Sequence, residues 1–316
     1  MATKISQKIT PPVERKLEKE FLTDLKNGFL KGLIDYIKQD ETLFLAIREN
    51  YINVYYRGGN LLKLELELEP SSGKYKATFN TNYFKGNSNI ELPPEFISDS
   101  KQISEWINAF PSLKHAMDRH FSKNSKSERE FQQLVARENN YSPVSNATDY
   151  FIVDIEYVEN DARFDMVAIK WISDVPNRKK TDSCRLALIE MKYGDSALQG
   201  FSGIQEHIED IAKITKEDVE IIKQSAINCF EQLRELDLIR FSKEGNSHQV
   251  ETLTDEKPEF IFLLANHNPA SSILKKELES IPSLENVELK FCTASFMGYG
   301  LFDDRMENLA DFKLKL

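Results

Sequence analysis

Two apolar runs of this chain, Phe164-Asp165-Met166-Val167-Ala168-Ile169 and Leu186-Ala187-Leu188-Ile189-Glu190-Met191-Lys192-Tyr193-Gly194, carry ionisable side chains where buried strands ordinarily carry none. Side chains alternate between the faces of a strand, so Glu190 and Lys192 point one way and Met191 the other. Met191 then packs in a core while its two neighbours face an opening. Residues 170–185, between the runs, hold Asp174, Pro176, Asn177 and Asp182, turn formers that suit a hairpin-like connection. Adjacent antiparallel strands would set Asp165 beside Glu190. Buried carboxylates are costly unless paired or bound to a metal. Two carboxylates and a lysine at one sheet edge would form such a pairing.

The Glu-x-Lys spacing alone is weak, because Glu14-Arg15-Lys16 and Glu288-Leu289-Lys290 share it. The first lies in a charged helical pattern and reads as a solvated face. The second sits in the alternating run Val287-Glu288-Leu289-Lys290-Phe291, a half-exposed strand. The apolar run before it, residues 260–265, has no embedded aspartate. For Asp165, Glu190 and Lys192 the competing reading is a solvent-facing strand end with a salt bridge.

Upstream, Ser127-Glu128-Arg129-Glu130-Phe131-Gln132-Gln133-Leu134-Val135-Ala136-Arg137 reads as a helix opened by a Ser127/Glu130 capping box. At about 100° per residue, Glu128 lies nearer the apolar centre of Phe131, Leu134 and Val135, and Glu130 has the rival role of closing the cap. Both are also acids that a first turn favours through the helix dipole.

The pattern Phe164-Asp165 followed by Ile189-Glu190-Met191-Lys192, with a glutamate-bearing helix upstream, resembles the PD-(D/E)xK nuclease superfamily over roughly residues 125–215. It departs at one point: Phe164 stands where the superfamily pattern has proline. The resemblance implies an α/β, restriction-endonuclease-like core, a central mixed sheet flanked by helices. It implies Mg²⁺, with Mn²⁺ as a substitute, bound by the Asp165 and Glu190 carboxylates and the Met191 backbone carbonyl. Such hard oxygen donors suit magnesium. It also implies that Lys192 orients the attacking water or stabilises the transition state, and that Glu128 or Glu130 completes the site. The implied reaction is hydrolysis of a nucleic acid, DNA ahead of RNA, by in-line water attack that leaves a 5′-phosphate. The alternative is a catalytically inactive nuclease-fold protein that binds nucleic acid or regulates a partner.

After the motif, Gly194, Gly200 and Gly203 punctuate a loop. Residues 204–211 then read as a helix with Ile204, Ile208 and Ile211 as its buried stripe. His207 falls beside that stripe. It is within reach of a phosphate, but a boundary histidine satisfied by hydrogen bonds is the plainer reading. Gly200-Phe201-Ser202-Gly203 lacks the Gly-Lys-Ser/Thr of a phosphate-binding loop.

The chain divides into an N-terminal α+β module (1–100), a helical linker (101–124) and a catalytic domain (125–316). Residues 13–39 read as one helix with Phe21, Leu25, Phe29, Leu33 and Tyr36 on a face. Strands follow at 43–47, 51–56, 61–68 and 75–80, with Arg57-Gly58-Gly59-Asn60 as a hairpin turn. Tyr55, Tyr56, Tyr75 and Phe79 are candidates for base stacking, with core packing the plainer role. The polar stretch 86–100 reads as a separator and 103–122 as helical. Residues 216–240 read as a long helix and 242–257 as a loop. Strands at 260–265 and 287–294, with a helix at 271–281 between them, extend the sheet. Asn266-His267-Asn268-Pro269 reads as a turn at a strand end.

The net charge of −10 means that any nucleic-acid face must be local. The basic candidates are residues 114–120, 123–129 and 177–180, each also compatible with a solvated loop. The acidic balance also suits a protein partner that delivers substrate or suppresses stray cutting; a protein partner or a homodimer is the expected association. Cys184, Cys229 and Cys292 have neither zinc nor disulfide-framework spacing. With no membrane-length apolar run and no signal-peptide core, a cytoplasmic protein off the membrane is expected.

Overall fold

The computed structural model describes residues 14–67, 73–84, 91–159, 162–239, 249–267, 272–279, 281–294, 300–301, 303 and 306–315. They form a mixed α/β fold with two five-stranded sheets. Among them, no helix is long and apolar enough to cross a membrane.

The expected helix over 13–39 is two helices, α1 (Lys19–Lys26) and α2 (Lys31–Gln39). The break falls at Gly28, whose N–H bonds back to Thr23 and Asp24. A Cβ there would lie 2.5 Å from Asp24 Oδ1 and 2.7 Å from Asp24 Cα, so the chain can turn this tightly only on glycine. Glu14-Arg15-Lys16 is not a solvated helix face. It precedes α1 as coil, and Arg15 is buried.

Five antiparallel strands form the first sheet in chain order: β1 (Leu43–Ile47), β2 (Tyr51–Tyr56), β3 (Gly59–Leu66), β4 (Tyr75–Thr78) and β5 (Phe96–Ile97). The β2–β3 turn is tighter than the sequence suggested. Arg57 and Gly58 alone make it, at φ 49° and 70°, and Gly59 already pairs with Tyr56. Positive φ at both central positions is the hairpin geometry that matches strand twist. Part of the expected separator is β5, which completes the sheet; residues 85–90 lie outside the described residues, as do 68–72. Helix α3 (Ser100–Phe121) buries Trp106, Phe110, Leu113 and Met117 in the same core as α1 and α2. β1 is apolar throughout because both its faces are covered. Leu43, Leu45 and Ile47 join the core of α1–α3, while Phe44 and Ala46 join the core beneath the next helix.

That helix is α4 (Ser127–Asn140), which leads to the second sheet. Its strands are β6 (Tyr150–Glu159), β7 (Ala162–Lys170), β8 (Arg185–Tyr193), β9 (Glu259–Ala265) and β10 (Glu288–Ala294). They are ordered β10-β9-β8-β7-β6. The pairs β6–β7 and β7–β8 are antiparallel, and β8–β9 and β9–β10 are parallel. Between the strands lie α5 (Val175–Arg178), α6 (Ile204–Ile211), α7 (Lys216–Glu235) and α8 (Ser272–Leu278), and α9 (Leu309–Lys313) ends the chain. Central β8 alternates strictly. Ala187, Ile189 and Met191 pack with Val135 and Ala136 of α4. Leu186 and Leu188 pack with the other core, which includes Ile204, Ile208, Val219, Ile222 and Phe230 of α6 and α7. The sheet is thus sandwiched between helical layers. Part of the expected 242–257 loop lies outside the described residues, and Leu253 in the remainder bridges to Cys184.

No strand is expected from the sequence at β6, yet β6 carries a buried polar link to the first sheet. Asp154 is buried and binds two guanidiniums, Arg15 through Oδ2 and Arg48 through Oδ1. Arg15 also donates to Val158 O at 2.8 Å and Arg48 to Ile155 O at 2.7 Å. A carboxylate buried in this way is satisfied on both oxygens.

Candidate active site

The second sheet forks. Strands β7 and β8 pair only as far as Met166↔Ile189. Beyond that point β7 stays with β6, to Glu159↔Ala162, and β8 stays with β9, to Tyr193↔Ala265. Asp165 lines one prong and Glu190 to Lys192 the other. Met191 N–H donates to Asp165 Oδ2 at 2.8 Å, a side chain standing in for a ladder acceptor. An extended residue presents its N–H and C=O to the same neighbour, so the Met191 carbonyl is directed toward the Asp165 side as well. The Met191 side chain is fully buried on the opposite sheet face.

Lys192 Nζ donates to Glu190 Oε1 at 2.7 Å, and His207 Nε2 lies 2.9 Å from the same oxygen. Glu190 and Lys192 are only 3% and 1% exposed. They are not a solvent-facing strand end, and the opening expected in front of them is roofed by α6, which brings His207. His207 is the boundary histidine satisfied by a hydrogen-bond partner that the sequence suggests, and that partner is Glu190. It reaches Glu190 because Ile204, His207, Ile208 and Ile211 share one helix face.

Of the two upstream glutamates, Glu128 joins the group. Its carboxylate lies near the Tyr193 N–H and within electrostatic reach of Lys192, Glu190 and His207. The Phe131 ring stacks on Tyr193 with centroids 4.4 Å apart, which fixes this end of α4 over the end of β8. Glu130 is drawn instead to Arg57, by hydrogen bonds of 2.8 and 3.0 Å. The expected capping box is absent. Lys126 holds the cap position without a side-chain cap bond, Ser127 is the first helical residue, and its Oγ pairs with Ser125 Oγ at 2.8 Å.

The carboxylates disturb one another. Burial, then Glu190 and Glu128, push the Asp165 carboxyl well above the usual aspartate range, against the Met191 N–H and Lys192. Burial also lifts the Glu128 carboxyl; Lys192 and the Tyr193 N–H oppose that lift and Glu190 adds to it. Among the described residues, no three His, Cys, Asp or Glu side chains are close enough to make a ready cation cage. The donor chemistry nonetheless suits a hard divalent cation. Asp165 and Glu128 are desolvated, mutually repelling oxygen donors, and neither has a cationic side chain bonded to it among the described residues.

Other candidates have structural roles. Tyr55, Tyr75 and Phe79 are buried core, and Tyr56 packs against it and bonds Asp118. Of the basic candidates, Lys114 pairs with Asp40, Arg129 with Glu156 at 2.9 Å, and buried Arg178 donates to Thr148 O at 2.6 Å. All three cysteines are free and buried. Asn268 and Pro269 lie outside the described residues, and Asn266 Nδ2 bonds Tyr193 Oη at 2.9 Å. Phe201, on the loop leading into α6, is wholly exposed.

No family model matches the chain, and neither a curated protein nor a solved structure matches it.

Proposed function

We propose that the chain is a divalent-metal-dependent nuclease of the PD-(D/E)xK kind, with a restriction-endonuclease-like core over β6–β10 and DNA as the preferred substrate. The observation that carries this reading is the meeting of Asp165, Glu190, Glu128 and Lys192 at a fork between two strands. Asp165, Glu190 and the Met191 carbonyl would hold Mg²⁺ or Mn²⁺, with Glu128 beside them. The bound cation would supply an activated water and neutralise charge on the phosphate.

The chain's own residues do the rest. The Met191 N–H fixes the Asp165 carboxylate. Lys192, fully buried and held by Glu190, presents a positive charge where negative charge develops on the scissile phosphate. His207 grips the same Glu190 oxygen from α6 and so sets the orientation of that carboxylate. Helix α6 and the sheet exclude bulk water from Glu190 and Lys192, which strengthens each of these interactions.

A second reading is a catalytically inactive nuclease-fold protein that binds nucleic acid or regulates a partner. The closed Lys192–Glu190–His207 contact favours it, since one Glu190 oxygen is already shared by two bases. Incubation with single- and double-stranded DNA and RNA, with Mg²⁺ or Mn²⁺, separates the two. The nuclease reading requires metal-dependent products carrying 5′-phosphates. Nucleic-acid binding without cutting under any of these conditions supports the second.

A further inference from the structure

We propose that the β2–β3 hairpin of the N-terminal module is a clamp that positions Glu128, with Arg57 and Gly58 as its positioning residues. This rests on the nuclease reading for the role of Glu128, though not for the existence of the clamp.

The hairpin tip meets α4 at the turn that carries Glu128. Arg57 Nε and Nη2 donate to the two oxygens of Glu130 at 2.8 and 3.0 Å, a two-pronged contact that fixes direction as well as distance. The same guanidinium donates to Asp118 of α3 at 2.8 Å, which anchors it from behind. Gly58 N–H donates to Gln133 Oε1 at 2.7 Å, and Gln133 Nε2 returns bonds to Thr42 O at 2.8 Å and Tyr55 O at 3.1 Å. Glu130 and Gln133 are three residues apart and so share a helix face.

Gly58 is required twice over. Its φ is +70°, and a Cβ there would lie 2.4 Å from both C and O of Arg129, the residue that follows Glu128. The tip of one module therefore presses on the backbone of the site's own turn. Apolar packing fills the join only in part, through the core that Phe44 and Tyr55 share with Val135 and Ala136. A cavity of about 140 Å³ lies beside it, lined by Thr42, Phe44, Tyr56, Arg57, Glu130 and Gln133. Apolar packing seats α4 on β8, and these polar contacts fix its first turn against the hairpin. The Arg57 and Glu130 side chains are 35% and 33% exposed, so their pairing adds little to global stability. Its effect is on geometry. Catalytic constellations tolerate errors of only about 0.5 Å.

The test uses the full chain with Arg57→Ala, Arg57→Lys and Gly58→Ala. Three quantities are read: hydrogen exchange of the α4 first-turn amides, the Mn²⁺ concentration for half-saturation, and the thermal midpoint. The clamp predicts faster exchange at residues 128–133 in Arg57→Ala, and a Mn²⁺ half-saturation raised about 10-fold or more. The midpoint should stay close to that of the wild type. Arg57→Lys, which keeps the charge but loses the two-pronged contact, should fall between. Wild-type exchange and wild-type Mn²⁺ half-saturation in Arg57→Ala would overturn the proposal, whether or not Gly58→Ala folds. If the wild type binds no Mn²⁺, the metal-dependent reading fails by itself, and exchange at α4 still decides the clamp.

Discussion

The Met191 amide donates to Asp165 Oδ2 at 2.8 Å across the point where β7 and β8 part. This bond ties a carboxylate on one prong of the fork to the backbone of the other. It also explains how an aspartate persists in an otherwise apolar strand. The amide satisfies one oxygen and leaves the charge to be neutralised by something else.

That uncompensated charge has a consequence for stability. The folded-state pKa values of Asp165 and Glu128 lie above their ordinary values of 3.8 and 4.5, so the folded protein holds protons that the unfolded chain has released. Without metal, stability should fall as pH rises from those ordinary values through the raised ones. Asp165→Asn removes most of this penalty. In the presence of a chelator at neutral pH, it should unfold at a urea concentration no lower than the wild type does. Added Mg²⁺ should stabilise the wild type more than the variant. A variant markedly less stable than wild type in chelator would contradict this picture.

His207, at the boundary of the α6 core face, contacts Glu190 and is placed to orient it. Replacing it with alanine should weaken metal affinity or activity by about 10- to 100-fold, the usual loss when the partner of a ligand is removed. Metal titration of cleavage rates would register the change. Unaltered metal dependence would reduce His207 to a bystander.

Asp154 bridges Arg15 and Arg48 in the interior, one oxygen to each. Asp154→Ala would leave two buried guanidiniums without their carboxylate, at a cost of about 3–5 kcal/mol. Urea denaturation should show this as a lowered midpoint. A change below about 1 kcal/mol would mean that the backbone carbonyls of Val158 and Ile155 suffice as partners.

The parts of the fold legible in the sequence were those with local signals. Alternation at Glu190-Met191-Lys192 placed Met191 in one core and its neighbours on the opposite face, as observed. The Ile204, Ile208 and Ile211 stripe located α6. What was not legible depends on long-range partners. Glu128 and Glu130 have nearly equal local claims, and only Arg57, far away in sequence, draws one of them aside. Arg15 looks like a surface charge until Asp154 of β6 is brought to it. The break at Gly28 turns on a close approach to Asp24 that helical periodicity does not report.

Metal-dependent cleavage at the β7–β8 fork is tested by cutting of a DNA substrate over a Mg²⁺ titration, by wild type and by Lys192→Ala prepared identically. The wild type should cut only when the metal is present. In the variant the rate should fall about 10²- to 10³-fold, the scale of losing one preorganised charge-stabilising group. Equal cutting by both proteins, or cutting by the wild type that ignores metal, would contradict it.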